Sequence, residues 1–218
     1  MITDWKELKF WQSGEWQVIE ERLDDLDRSN TTYCPLRNDL FAALRVCPYS
    51  NTHAIIVGQD PYPNPKYATG IAFSIPSSLR KFPPTLVTVL EELQNDLHFE
   101  RKNGNLEGWC KQGVLLWNAT PTCLAWKSNS HDWTEWTYLT REIVDGLSQK
   151  GIVFVFLGRK AQHYAQYVNP ANNAVLCYSH PSPLGSGRGT HPFKGSRVFS
   201  TINDALVNQG LPTIDWRL

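Results

Sequence analysis

Four short apolar runs stand out from an otherwise mixed chain: AIIVG at 54–58, VLLWN at 114–118, IVFVFLG at 152–158 and AVLCYSH at 174–180. Each is nearly continuous rather than alternating, and rich in Val, Ile, Leu and aromatics. That pattern predicts strands buried on both faces. Helical spacing lies between them. In 83–97, Leu86, Val89, Leu90 and Leu93 fall at i, i+3, i+4 and i+7 behind a Pro-Pro start signal. Segments 135–150 and 196–209 also predict helices, and 35–47 predicts one ahead of the first strand. Strands alternating with helices predict an α/β fold, with a central four-stranded, mainly parallel sheet flanked by helices on both faces. No repeat, low-complexity tract or linker divides the 218 residues. One domain over 1–218 is expected, long enough to bury about 70% of its unfolded surface.

Every predicted strand runs into something polar or glycine-rich: Gln59-Asp60, Asn118, Gly158-Arg159 and Ser179-His180. Ligands of open parallel sheets bind in the crevice outside the carboxyl ends of the strands. Four such ends predict one cleft carrying Asp, Asn, Gly-Arg and His. Singly, each residue has a plainer reading. Asp60 before a proline suits a turn, His180 in SHPSP suits a proline-flanked turn, and Asn118 can satisfy backbone groups.

Composition narrows the chemistry. Lys+Arg and Asp+Glu are both 21, so the formal net charge is zero. Bulk charge is therefore not expected to wrap long DNA, which leaves room for a local basic or polar footprint. Most of the nine tryptophans are expected to be packing residues. The five cysteines, Cys34, Cys47, Cys110, Cys123 and Cys177, form no CxxC pair, which argues against a disulfide framework, a zinc ribbon or an iron–sulfur cluster. No apolar run reaches the ~18 residues of a membrane span, and the N-terminal stretch has no apolar signal core. The expectation is a soluble, intracellular, cytoplasmic (or, in a eukaryotic or viral setting, nuclear) monomer needing no metal or cofactor.

Several reaction classes lack their spacing. There is no GxSxG elbow and no GxxxxGK[ST] loop, and GSGRG at 185–189 follows no strand directly. The HxE…PCxxC pattern of zinc deaminases is absent. An O-glycosidase wants two carboxylates, one to protonate a poor leaving group, and only Asp60 stands at an obvious strand end. One carboxylate with a His and an Asn suits a bond whose leaving group departs as a stabilised anion. An N-glycosidic bond to a nucleobase is such a bond.

From about Tyr33 onward the chain resembles the family-1 uracil-DNA glycosylases. GQDPYP at 58–63 is similar to the family's water-activating GQDPYH, and the spacing onward to GIAFS is kept. PPTLVTVLEEL resembles the proline-rich loop and helix, and LLWNAT the uracil-reading LLLNxxLT. FLGRKAQ is similar to the WGxxAQ loop, and SHPSPLGSGRG to the HPSPLS intercalation loop.

The resemblance implies a role for each matching position. A nucleotide flipped out of the stack would enter a tight pocket, with Phe73 stacked on uracil and Asn118 reading its O4 and N3 edge. Tyr62 would stand against C5, where thymine carries a methyl group. The Gln59 backbone and His180 would address O2, where negative charge gathers as the bond breaks. Asp60 would stabilise the sugar cation and orient water. Leu184 would be the wedge that fills the gap in the duplex. Pro84, Thr85, Gly158, Arg159, Ser182 and Arg188 would contact the phosphate backbone. Uracil-containing DNA, single- or double-stranded, is the implied partner, together with DNA-mimicking inhibitor proteins.

The chain departs from the pattern at four positions. Pro63 replaces the motif's histidine, Trp117 a leucine, Thr85 a serine and Gly185 the serine after the wedge. The competing functions are a glycosylase fold kept as a DNA-binding or replication subunit with secondary excision, and a hydrolase of free nucleosides. Asp60, Asn118 and His180 favour the enzyme, and a nucleoside hydrolase would need neither HPSPLG nor the proline loop.

Overall fold

The computed structural model describes residues 4–218; residues 1–3, part of the single unit expected over 1–218, lie outside the described residues. In chain order the regular elements are α1 (Glu15–Arg28), β1 (Tyr33–Cys34), α2 (Ala42–Val46), β2 (Ala54–Gly58), α3 (Pro84–Leu97) and α4 (Glu107–Lys111). They continue with β3 (Val114–Asn118), β4 (Cys123–Leu124), α5 (Thr134–Leu147), β5 (Val153–Leu157), α6 (Arg159–Gln162), β6 (Ala174–Tyr178) and α7 (Val198–Asn208).

The main sheet has strand order β3-β2-β5-β6, and all three pairings are parallel. Chain direction across the sheet therefore reverses between β2 and β5, which is the topological switch point where such sheets bind ligands. Side chains alternate between the faces. Ile56, Leu116 and Val155 border one small interior gap together with Val89 of α3 and Val198 and Phe199 of α7. On the opposite face the Trp117 indole donates to Thr140 Oγ1 of α5 at 2.9 Å. Trp117, standing where the family has a leucine, is thus a buried link between sheet and helix.

Helices α3 and α7 lie within their expected segments, α5 begins one residue before its own, and all four long strands form. Three features differ from the sequence pattern. Strand β6 is only half-buried throughout, whereas the other edge strand, β3, is fully buried. Segment 35–47 is not one helix: a single turn at Arg37–Asp39 is followed by α2, with Phe41 out of helical geometry between them. The loop after β2 causes the break, since Ala43 N–H bonds Gly70 O at 3.3 Å and a Cβ on Gly70 would sit 1.7 Å from Asp39 O. Helix α1 and the two-residue antiparallel ladder β1–β4 were not legible in the periodicity.

Two carboxylates of α3 organise the start of α7. Glu92, only 1% exposed, accepts from Gly195 N at 2.6 Å and Arg197 N at 2.8 Å. Asp96 accepts from Ser200 N at 2.8 Å. They satisfy helix-entry N–H groups that have no intrahelical partner. They also anchor the far end of the loop that leaves β6.

Candidate active site

The four strand ends meet at one edge of the sheet. Gln59, Asp60, Tyr62, Phe73, Asn118, Thr85 and His180 line a pocket of about 150 Å³. A cavity of roughly this size accommodates one six-membered ring. Gly158, Arg159, Ser182, Leu184 and Arg188 line a wider cleft of about 820 Å³, and Gln59 and His180 border both spaces. A small ring-sized hole therefore opens into a long groove. Pro84 lines neither: it is the exposed first residue of α3, next to pocket-lining Thr85.

Short backbone contacts fix the pocket. Ala119 N–H bonds Gly58 O at 3.0 Å and Thr120 N–H bonds Gln59 O at 2.9 Å, so the segments leaving β3 and β2 are tied together. Phe73 sits at φ +65°, a conformation unusual for a bulky residue. The Tyr62 hydroxyl donates to Phe73 O at 3.0 Å, which joins the two aromatic walls. Burial raises the Tyr62 phenol pKa, so the hydroxyl stays a donor. Gly58 has no alternative: a Cβ there would lie 2.7 Å from Phe73 Cζ and 3.1 Å from Asn118 Oδ1. Asn118 is buried, yet among the described residues nothing hydrogen-bonds its side-chain amide. An amide left open at the floor of a ring-sized pocket is placed to read a ligand's edge.

Asp60 is held from both sides. Its Oδ1 accepts from Gln59 Nε2 at 2.8 Å, and its Oδ2 accepts from Asn129 N at 2.7 Å. The loop beyond it rests on two buried thiols, Cys123 Sγ donating to Pro61 O at 3.6 Å and Cys34 Sγ to Pro63 O at 3.4 Å. These cysteines face each other across the β1–β4 ladder. Pro63 thus contributes its carbonyl to the support of the loop, and Trp126 N–H also donates to it at 2.7 Å.

His180 lines the same pocket, its ring 6.5 Å from that of Phe73. Burial lowers its pKa below the ordinary histidine value, and Asp60 pulls weakly the other way. The imidazole is therefore neutral near pH 7 and carries one N–H to donate. Close approach depends on Gly158 at φ +88°, where a Cβ would lie 2.9 Å from His180 Cβ. The following loop is closed at its base: Ser179 N–H bonds His191 O at 2.9 Å, and Phe193 N–H bonds Ser179 Oγ at 3.0 Å. Leu184 projects from it, 77% exposed. Gly185, in place of the family's serine, lets the chain pack close, since a Cβ there would lie 2.9 Å from Ser182 Oγ.

Sequence reasoning missed several contributors. Ser128 lines the pocket and the Asn129 amide orients Asp60, but both act from an exposed loop with no motif of its own. Lys160 and Gln162 line the groove from within FLGRKAQ and could have been read there. Among the described residues no group of three or more His, Cys, Asp or Glu is placed to hold a metal ion. No helix among them is long and apolar enough to cross a membrane.

The profile of the Uracil DNA glycosylase superfamily matches residues 44–207. A uracil-DNA glycosylase from a Ruegeria species is 36% identical over 99% of this chain and 89% of its own length. One from Enterococcus faecalis is 39% identical over 93% of this chain and 89% of its own. Among solved structures, mimivirus uracil-DNA glycosylase superposes with a TM-score of 0.86 at 26% identity, covering 96% of this chain and 85% of the viral one. A variant of that viral enzyme in complex with UGI gives 0.87 at 27% identity, covering 96% and 87%. With three quarters of its length inside the family profile and its strand ends converging on a ring-sized pocket, the chain belongs to the uracil DNA glycosylase superfamily.

Proposed function

We propose that this chain is a uracil-DNA glycosylase of the family-1 type, formed as one domain over 1–218 and acting as a monomer on DNA inside the cell. It hydrolyses the N-glycosidic bond of deoxyuridine, releasing uracil and leaving an abasic site. The observation that carries the reading is the ring-sized pocket floored by the open Asn118 amide, with Asp60 and neutral His180 beside it.

The steps follow from the groups in place. A base inside a duplex cannot reach this pocket, so the nucleotide is flipped, and Leu184 occupies the space it leaves. Phe73 stacks on the base, and Asn118 donates to O4 and accepts from N3–H. Cytosine offers the reverse pattern at that edge and leaves buried groups unpaired. Tyr62, pinned to Phe73 O, closes the C5 side against a thymine methyl. As the bond lengthens, electrons move onto the base and His180 donates a hydrogen bond to O2. The sugar becomes cationic, and Asp60 stabilises it and directs water to C1′. The groove beside the pocket, with Arg159, Lys160, Arg188 and Ser182, holds phosphates and lets a chain of zero net charge grip DNA locally. A DNA-mimicking inhibitor protein would occupy the same groove.

The test is incubation with uracil-containing DNA in EDTA followed by alkali. Strand breaks at uracil positions are expected. Intact DNA at high protein concentration, with binding retained, would replace this reading with a DNA-binding subunit.

A further inference from the structure

Eight of the nine tryptophans are buried or half-buried, but Trp126 is 73% exposed. It holds φ +65°, an outlier for a bulky side chain. Among the described residues no other ring packs against it. The turn that presents it is firmly built. Trp126 N–H donates to Pro63 O at 2.7 Å, Leu124 pairs with Lys127, and Ser130 Oγ donates to Lys127 O at 2.7 Å. A rigid turn that carries a large apolar ring into solvent in an unfavourable conformation calls for an occupant.

Its position identifies one. Ser128, two residues on, lines the ring-sized pocket, so Trp126 lies within about 7 Å of the rim along the chain. Pro63, which anchors its amide, lines the same pocket. Trp126 follows β4 of the small antiparallel ladder, whereas Leu184 follows edge strand β6 of the main sheet. Trp126 and Leu184 are the two most exposed apolar side chains beside the site, and exposed Lys127 stands next to Trp126 to meet a phosphate.

We propose that Trp126 is a stacking platform for an unpaired base of the strand that enters the pocket, at the rim formed by Pro63 and Ser128. The inference rests on the reading of the pocket as a uracil site. A base in a duplex has both faces covered by its neighbours, whereas a base of a single strand has a face to offer. Trp126 therefore favours single-stranded substrate and acts on binding, not on bond cleavage.

The experiment uses fluorescein-labelled single-stranded and duplex oligonucleotides with the wild-type, Trp126→Ala and Trp126→Phe proteins. Loss of one base–aromatic stack predicts single-strand Kd and KM raised by about fivefold or more in Trp126→Ala. Trp126→Phe should retain most of the affinity, kcat should be unchanged, and duplex affinity should move much less. Quenching of the Trp126 emission by single-stranded DNA, read as the difference between wild type and Trp126→Phe, gives an independent signal. Equal losses on both substrates, a fall in kcat alone, or no quenching would overturn the proposal. A wild-type protein that binds but excises nothing would instead overturn the glycosylase reading, and the stacking contact would still be judged from Kd.

Discussion

Phe73 Cζ lies 2.7 Å from the point where a Cβ on Gly58 would be, so the last residue of β2 and the stacking wall of the pocket are in direct contact. The wall cannot retreat, because Phe73 is fixed at φ +65° and its carbonyl is held by the Tyr62 hydroxyl. In Gly58→Ala the ring or the Asn118 amide must shift into the cavity. A displacement near 1 Å costs on the order of 10²-fold in rate, while overpacking costs about 1–3 kcal/mol of stability. Steady-state kinetics on uracil-containing DNA should show that drop in kcat/KM in a protein that still melts cooperatively. Normal turnover would mean the pocket is looser than its contacts.

Asp60 and His180 both line the pocket and lie outside the buried core. Asp60→Asn keeps an acceptor for the Asn129 amide at 2.7 Å but removes the charge proposed to face the sugar. His180→Ala removes the donor proposed for O2. Each should lose about 10²–10³ in kcat, with Tm within a few degrees of wild type. Circular dichroism melts alongside single-turnover rates separate chemistry from folding. Either variant turning over at the wild-type rate removes the assigned role.

Much of this site was legible because chemistry and topology coincide in the sequence. Asp60, Asn118, Gly158 and His180 each end a continuous apolar run, and parallel strands necessarily bring such ends to one edge. What stayed hidden depends on contacts between distant segments. No local pattern announces that Gly58 must lack a Cβ because Phe73, fifteen positions later, leans on it. The Asn129 amide acts through backbone alone, so its side chain carries no signal. Helix α1 buries only Ile19 and Leu23 among fourteen residues, too thin a stripe to stand out from its charged surroundings. The break in segment 35–47 likewise comes from outside, from the Gly70 loop that takes the Ala43 N–H.

A buried histidine away from the chemistry sets a pH limit on stability. His131 is 3% exposed, stacks on Trp133 at 4.2 Å and bonds Thr122 Oγ1 through Nδ1 at 2.9 Å. Burial lowers its pKa to about 4. The unfolded chain takes up a proton near the ordinary histidine pKa of ~6.5, while the folded chain does not until lower pH. The folded state is therefore favoured fully above ~6.5, and that contribution is lost as pH falls toward 4. After allowance for solvent screening the loss is about 2 kcal/mol. Urea melts at pH 7.5 and 4.5 should differ by that much more in wild type than in His131→Gln. An equal pH response in both proteins would place the acid sensitivity elsewhere.

Base choice and base flipping are assigned to different residues, so they should separate by mutation. Asn118→Asp replaces the amide donor with an acceptor on the pocket floor. A carboxylate accepts from the exocyclic amine of cytosine, so uracil excision should weaken and some cytosine excision should appear. Leu184, 77% exposed on its closed loop, is the residue proposed as an apolar wedge. Leu184→Ala should slow excision from duplex DNA, where a base must be unstacked at a cost of a few kcal/mol, and affect single strands much less. The ratio of uracil to cytosine excision should stay fixed, because truncating a wedge removes no hydrogen bond. Parallel rates on single-stranded uracil, duplex uracil and duplex cytosine substrates check both halves. A changed base ratio in Leu184→Ala, or equal slowing on both strand types, would show that Leu184 acts on the pocket and not on the stack.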